Sequence, residues 1–183
     1  MMIERIRREH GYMVRLLAIL RHKFEELRAE QGISYSLVKE IVDYLATHSE
    51  AIHHPKEDII YRYYIDKYGV DENMANLEKE HLSLAEKTHE FLNLVEMILQ
   101  DAIVPQDVFL KQLEGFIVAQ KQHLDLEEQS VLPKINQTFS AEDWQAVESM
   151  WSQNESDPVF GETIADRYKQ IAQLVRATDL EYH

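Results

Sequence analysis

Apolar residues recur every three or four positions through most of the chain, which is the spacing of one face of an α-helix. The first such stretch predicts a helix from about Ile3 to Glu30. Its apolar positions are Ile6, Met13, Leu16, Leu17, Leu20, Phe24 and Leu27. The pattern has the period of a helix and not the alternation of a strand, so it indicates an amphipathic helix with one buried face.

Three more long helices are predicted after the first. Their approximate spans are Tyr35–Lys67, Asp71–Asp101 and Pro105–Gln137. Ser34 and Asp71 are suitable N-caps, and Gly69 is a suitable residue at a helix C-terminus. Four long helices joined by short connections predict an all-α fold, an antiparallel up-down four-helix bundle.

Two shorter helices are predicted beyond the bundle. Ser140 and Asp143 form a capping-box pattern ahead of Trp144. After the loop NESDPVFG, a last helix is carried by Ile164, Tyr168, Ile171 and Val175. We expect one domain overall, with the bundle in residues 1–138 and a helical extension packed on it in residues 139–183. The extension is also where a homodimer contact would be sought.

Composition narrows the classes of function. The formal net charge is −14, and no basic face is visible, so we expect neither nucleic acid nor an anionic membrane as a partner. There are no cysteines, which excludes thiolate metal sites and disulfides. No stretch has the apolar length of a membrane span or a signal peptide, and we expect a soluble cytoplasmic protein. The nine histidines are many for 183 residues and call for an explanation.

A hexapeptide pattern is repeated in the second and fourth helices. HHPKED contains His53 and Glu57, and HLDLEE contains His123 and Glu127. Each pattern is a histidine followed four residues later by a glutamate and then by a second acid. Residues four apart share a helix face, so each copy offers an imidazole and a carboxylate one turn apart.

A tripeptide is repeated in the other two helices. REH ends at His10 in the first helix, and KEH ends at His81 in the third. His10 and His53 lie nearly the same number of residues from the turn between them, and so do His81 and His123. Each antiparallel hairpin therefore places two histidines at one level.

Four imidazoles and two carboxylates are too many ligands for one tetrahedral zinc ion. They suit two ions, each held by the histidine pair of one hairpin, with Glu57 and Glu127 bridging them. Nitrogen and oxygen ligands without sulfur favour iron or manganese. Spacing alone does not separate these metals from zinc or copper.

At these residues the chain resembles the hemerythrin-like HHE cation-binding proteins, and DPVFG is similar to a bacterial single-domain subgroup. The resemblance implies two iron ions in an oxygen-bridged, non-haem di-iron centre inside an antiparallel bundle. By matching position, it implies terminal ligands at His10, His53, His81 and His123 and bridging ligands at Glu57 and Glu127. The oxygen-carrying hemerythrins have a further histidine at the position of Ala85. Its absence argues against simple oxygen transport and predicts an open position on the ion held by His81 and His123.

Several residues near these motifs receive weaker assignments. Pro55 lies inside the second predicted helix, where a local kink would aim the ligands on either side of it. His54 follows His53 directly and is expected to point about 100° away from it, outside the ligand set but able to orient a ligand. The histidines expected to lie at the surface or behind the ligands are His22, His48, His89 and His183.

The leading functional hypothesis is a di-iron protein that binds oxygen or nitric oxide, for sensing, storage or stress protection. A binding role is favoured over an enzymatic one. The alternatives are a redox enzyme or iron donor, such as a ferritin-like oxidase or a metal-cluster repair protein, and a metal-free interaction bundle. A ferritin-like site uses Glu-x-x-His pairs, which Glu50 with His53 and Glu78 with His81 satisfy, but Gln120 breaks the pattern ahead of His123.

Overall fold

The fold was examined in a computed structural model that describes residues 1–151, 157–160 and 165–181. All regular secondary structure within those ranges is helical. The α-helices are α1 (Met2–Arg28), α2 (Tyr35–Tyr44), α3 (His54–Tyr68), α4 (Glu72–Leu99), α5 (Gln106–Leu126), α6 (Leu132–Thr138), α7 (Ala141–Ser149) and α8 (Lys169–Glu181). Two π-helical segments, π1 (Leu45–His53) and π2 (Glu127–Val131), and one 3₁₀ turn, Asp166–Tyr168, complete the list.

The four long helices predicted from the apolar pattern are present. α1 and α4 are the first and third of them, while α2, π1 and α3 form the second and α5, π2 and α6 the fourth. Ser34 accepts a hydrogen bond from the backbone N–H of Leu37 at 3.2 Å, and Asp71 accepts one from Met74 at 3.1 Å. Both predicted N-caps are therefore confirmed. α1 packs against α5, and α4 packs against both α2 and α5, which makes a helical bundle.

The proline within the second long helix is accommodated by a change of helix type. π1 ends at His53, and the N–H of His54 bonds to the carbonyl of Ser49, five residues back. Pro55 follows as the second residue of α3. A proline has no N–H and its ring crowds the carbonyl four residues earlier, so the wider π turn removes the conflict. The same arrangement recurs in the fourth long helix, where Pro133 follows π2.

The apolar core is divided into two clusters. The first apolar cluster includes Leu16, Leu20, Val38, Ile41, Phe91, Val95, Phe109 and Leu113. The second apolar cluster includes Ile6, Ile60, Met74, Leu77, Val131, Leu132 and Ile135. Along each long helix, the motif histidines and glutamates lie between members of one cluster and members of the other. The sequence therefore places a polar layer across the middle of the bundle.

The two predicted C-terminal helices are present, and each joins a different cluster. Trp144 of α7 belongs to the second cluster, whereas Tyr168 and Ile171 belong to the first. The capping box at Ser140 and Asp143 is confirmed. Ile164 and half of the loop NESDPVFG, residues 154–156 and 161, lie outside the described residues.

No helix among the described residues is long and apolar enough to cross a membrane.

Candidate metal centre

The structure brings the six residues singled out by the repeats into one buried layer between the two apolar clusters. They are His10, His53, Glu57, His81, His123 and Glu127, and none is more than 4% exposed. The repeat spacing and the folded positions therefore agree.

The four histidines form two matched pairs. The ring centroids of His10 and His53 are 4.8 Å apart with an interplanar angle of 63°. Those of His81 and His123 are also 4.8 Å apart, with an angle of 64°. Each pair comes from one helical hairpin, so the duplicated sequence motif corresponds to a duplicated geometry.

The two glutamates lie between the pairs. Glu127 Oε1 is 3.2 Å from Nε2 of His123 and 3.3 Å from Nε2 of His81, and its other oxygen is 3.3 Å from Nε2 of His10. Glu57 places one oxygen 3.1 Å from His10 and the other 3.0 Å from His53 and 3.7 Å from His81. Both carboxylates thus face both histidine pairs.

The inner atoms of the layer form only part of a hydrogen-bond network, and groups of them could hold metal ions. His53 Nε2, Glu57 Oε1 and Glu127 Oε2 are buried and have no hydrogen-bond partner among the described residues. Their neighbours are close, but the angles are wrong for hydrogen bonds. Bonds of about 2.1 Å to an octahedral ion set adjacent ligand atoms about 3 Å apart, close to the separations found here. Buried polar atoms without partners are costly, and bound cations would satisfy them.

Each histidine of the layer also meets a carboxylate at its outer nitrogen, Nδ1. The pairs are His10 with Glu128 at 2.7 Å, His53 with Glu9, His81 with Asp58 at 2.8 Å, and His123 with Glu80 at 3.6 Å. In every case the acid lies on the preceding long helix, and the fourth helix supplies the acid for the first. The carboxylates hydrogen-bonded to Nδ1 fix the rings of His10, His53 and His81 and leave Nε2 free to bind a metal. Nδ1 of His123 has no hydrogen-bond partner among the described residues.

The charges within the layer stabilise one another. Burial alone disfavours the charged form of His81, but hydrogen bonds with Asp58 and Glu127 outweigh it and raise its pKa to about 10. The pKa values of Glu57 and Glu127 are lowered, because the surrounding histidines outweigh burial and the repulsion between the two carboxylates. The carboxylates therefore stay ionised, which is the form that binds cations.

A buried lysine supports one of the outer acids. Lys56 is fully buried, and its Nζ donates to Glu9 at 2.7 Å and lies 5.9 Å from the ring of Trp151. Burial opposes ionisation of Glu9, but its contacts with His53 and Lys56 lower its pKa to about 2. Glu9 thus remains a carboxylate on the outer side of His53. The sequence motif contains both residues but gave no reason to pair them.

Tyr61 is a site residue that sequence reasoning missed. Its hydroxyl donates to Glu127 at 2.8 Å and lies 3.3 Å from Glu57, and only 1% of the residue is exposed. Burial and the two carboxylates raise the pKa of Tyr61, so it stays a donor. The available signal was its position four residues after Glu57, one turn further along the same face. The matching position after Glu127 is Val131, which makes the two halves of the site unequal.

His54 diverges from His53, with ring centroids 5.7 Å apart and an interplanar angle of 60°, but it stays against the layer. It is 9% exposed, and its ring stacks on His81 with centroids 4.1 Å apart and an interplanar angle of 4°. Within the described part of the chain, three groups of residues have ligand atoms close enough to hold an ion, and one of them includes His54. They are His54 with His81 and His123, His10 with His53 and Glu57, and Glu57 with His81 and Glu127.

The other histidines that the structure describes lie outside the layer. His22 is 72% exposed and pairs with Glu26, so the stray His-x-x-x-Glu motif there is a surface ion pair. His89 is also exposed and bonds to Glu50. His48 is buried, with its Nε2 3.3 Å from Asp157. His183 lies outside the described residues.

The Glu-x-x-His pairs of the ferritin-like alternative are not assembled. Glu50 accepts a hydrogen bond from His89, and Glu78 accepts from Arg62. Neither glutamate belongs to a group able to hold an ion among the described residues. The ferritin-like ligand set is therefore not formed by this fold.

Comparison with known proteins gives one family match. The family model described as the hemerythrin HHE cation binding domain matches residues 1–135. No curated protein and no solved structure matches the chain significantly.

Proposed function

Because the chain belongs to the hemerythrin HHE cation binding domain family, we propose that it holds two iron ions in the polar layer and binds a small diatomic molecule. Family membership indicates cation binding, typically of iron. Oxygen or nitric oxide as the ligand, and sensing, storage or stress protection as the purpose, are our proposal. One observation carries this proposal: two histidine pairs have matching geometry, and each of the two carboxylates between them faces both pairs.

The proposed ligands follow the geometry of the two halves. His10 and His53 would hold one ion, His81 and His123 the other, and Glu57 and Glu127 would bridge them. This assignment is supported by the inward Nε2 atoms and by the buried oxygens without hydrogen-bond partners.

The bound ions would supply a metal centre able to take up a diatomic molecule, and the chain's own residues would prepare its surroundings. The outer acids hold the imidazole rings with Nε2 inward. Tyr61 donates to a bridging carboxylate and limits its rotation. The apolar clusters on both sides keep bulk water away from the layer, which strengthens electrostatic interactions inside it.

The finer description of the fold is part of the proposal. We infer that the four long helices form an antiparallel up-down bundle in residues 1–138 and that residues 139–183 are an extension on it. The support is the order in which the helices pass the clusters. α1 and α4 run from the second cluster to the first, and the other two long helices run from the first to the second.

Two alternatives receive less support. A ferritin-like oxidase would need the Glu50 and Glu78 carboxylates, which are paired elsewhere. A metal-free interaction bundle would leave buried nitrogen and oxygen atoms without partners in its centre, at a cost of about 1–3 kcal/mol each.

The test is the metal content and absorption spectrum of protein purified from iron-replete cells. We expect two irons per chain and near-ultraviolet absorption that shifts when azide or nitric oxide is added. Glu127→Ala should lose most of the second ion, because it removes a bridge, whereas the control His22→Ala should keep both. Iron-free wild-type protein that also fails to take up iron in vitro contradicts the proposal. So does a spectrum that neither ligand changes.

A further inference from the structure

Two consecutive histidines of the second long helix serve different halves of the polar layer. The ring centroid of His53, the last residue of π1, lies 4.8 Å from that of His10. The ring centroid of His54, the first residue of α3, lies 4.1 Å from that of His81 and 5.8 Å from that of His123. Consecutive helical residues diverge by about 100°, and in the centre of a bundle that divergence directs the two rings to opposite halves instead of directing one to solvent.

His54 lacks the carboxylate partner that His10, His53 and His81 have. Their outer nitrogens all face a carboxylate, whereas no hydrogen bond joins the His54 ring to any described residue. The residue is nevertheless 9% exposed. That exposure leaves its nitrogens accessible to water or to a metal ion as a partner.

The group available to engage it is the second ion. A ring nitrogen of His54 lies within 4.8 Å of ligand atoms of both His81 and His123. Resting on the function proposed above, we propose that His54 is a third imidazole ligand of the ion held by His81 and His123. This half would otherwise have two histidines, since the methyl group of Ala85 cannot coordinate a metal.

The stacked arrangement requires a movement on metal binding. Two imidazoles whose planes are parallel and offset cannot both direct in-plane lone pairs at one ion. The His54 ring must therefore turn about its side-chain torsions when the ion binds, and it can return to stack on His81 when a stronger ligand takes its place. The open position expected from Ala85 is then a position that His54 closes and an incoming ligand reopens.

Stacking and coordination can be separated, because stacking needs a ring and coordination needs a nitrogen. His54→Phe keeps a flat aromatic ring at the position and removes the nitrogens. Anaerobic Fe(II) titration of this variant should show one ion bound as in wild type and the second bound at least tenfold more weakly. The control is His89→Phe, which changes an exposed histidine on α4 and should leave both binding steps unchanged.

The azide response gives a second readout. If His54 competes with incoming ligands, His54→Phe protein loaded at saturating iron should bind azide more tightly than wild type. Equal affinities for both irons and for azide in His54→Phe and wild type would mean that His54 only stacks, and the inference would be wrong. Wild-type protein that takes up no iron would instead defeat the proposed function, and the two failures are therefore distinct.

A wild-type measurement covers the case in which the variant does not fold, as judged by circular dichroism. In cobalt(II)-loaded protein with ¹⁵N-labelled histidine, each coordinated imidazole that keeps its N–H gives a strongly shifted exchangeable proton signal. Five such signals support His54 as a ligand alongside the four motif histidines. Four signals overturn the inference.

Discussion

At the scale of single residues, the polar layer is organised by acids that lie behind the histidines. The contact of Asp58 with His81 is short at 2.8 Å, and Asp58 is partly buried. The contact of Glu80 with His123 is 3.6 Å long, and Glu80 is 41% exposed. The four outer contacts are related by the sequence repeat, but they are not equally strong.

The inequality predicts different costs for removing the two acids. Asp58→Asn should weaken iron binding about 10–100-fold, because it removes the carboxylate that orients His81. Glu80→Gln should change the affinity much less, since its contact is long and solvent-exposed. The measurement is an anaerobic Fe(II) titration of both variants. Equal losses in the two would show that the outer acids act through net charge and not through orientation.

The repeats identified six residues of the site from the sequence because a duplicated spacing can be compared with itself. Tyr61, Lys56 and His54 have no counterpart in the second copy, where the aligned residues are Val131, Leu126 and Leu124. A residue that occurs in only one of the two copies cannot be found by comparing the copies with each other. Its position became evident only from the packing of neighbouring helices.

At the scale of elements, the π segments are the features that the sequence pattern could not specify. Apolar residues at three- and four-residue spacing fit one continuous helix from Tyr35 to Lys67, and the proline indicated a local kink at Pro55. A π turn adds one residue per turn without interrupting the helix, so the apolar pattern changes too little to reveal it. The two prolines were the only local signal.

A second element-scale feature is the attachment of α7 to the end of α3. Asp143 is fully buried, accepts a hydrogen bond from Tyr63 at 2.8 Å, and also accepts from Lys67 and Tyr68. These contacts lower the pKa of Asp143, the one with Lys67 contributing most. The Asp143 carboxylate thus links α7 to three side chains at the end of α3.

The lowered pKa fixes the sign of a pH effect. Since the folded-state pKa of Asp143 is below its ordinary value, its contribution to stability is complete above that ordinary value. It is lost as the pH falls through the folded-state pKa. Asp143→Asn should therefore lower the melting temperature at pH 7, and its difference from wild type should shrink below about pH 4.

The measurement for Asp143 is a series of thermal melts of metal-free protein between pH 2 and pH 7. Metal-free protein is needed so that loss of iron in acid does not dominate the result. Glu142→Gln, which changes an exposed acid in the same turn of α7, is the matched control and should follow wild type at every pH. A wild-type advantage that stays constant down to pH 2 would show that Asp143 acts by packing and not by charge.

At the scale of the whole molecule, the polar layer divides the core in two. The four long helices alone do not form the whole of either apolar cluster. Trp144 joins the second cluster, and Tyr168 and Ile171 join the first. The sequence predicted the helices and the layer from local periodicity and from the repeat. It could not predict which cluster each C-terminal helix covers, because that choice depends on the loop between them and on surfaces formed by distant residues.

A divided core predicts that the metal-free protein is markedly less stable than the loaded one. Without ions, the layer keeps buried atoms that lack hydrogen-bond partners in the middle of the bundle. An ion present at 100 times its dissociation constant adds about 2.7 kcal/mol to the free energy of unfolding. Two ions in a chain of this size should therefore raise the melting temperature by roughly 10–20 °C.

The difference should appear in calorimetric melts of iron-loaded protein before and after exhaustive chelation. His22→Ala alters a surface histidine and should show the same difference as wild type. Glu127→Ala should show a smaller difference in melting temperature between loaded and chelated protein. It loses most of the second ion, and it also removes a buried carboxylate from the metal-free layer. Equal melting temperatures for loaded and chelated wild type would show that ion binding is not coupled to folding. In that case the hydrogen bonds among the histidines and carboxylates would already satisfy the layer.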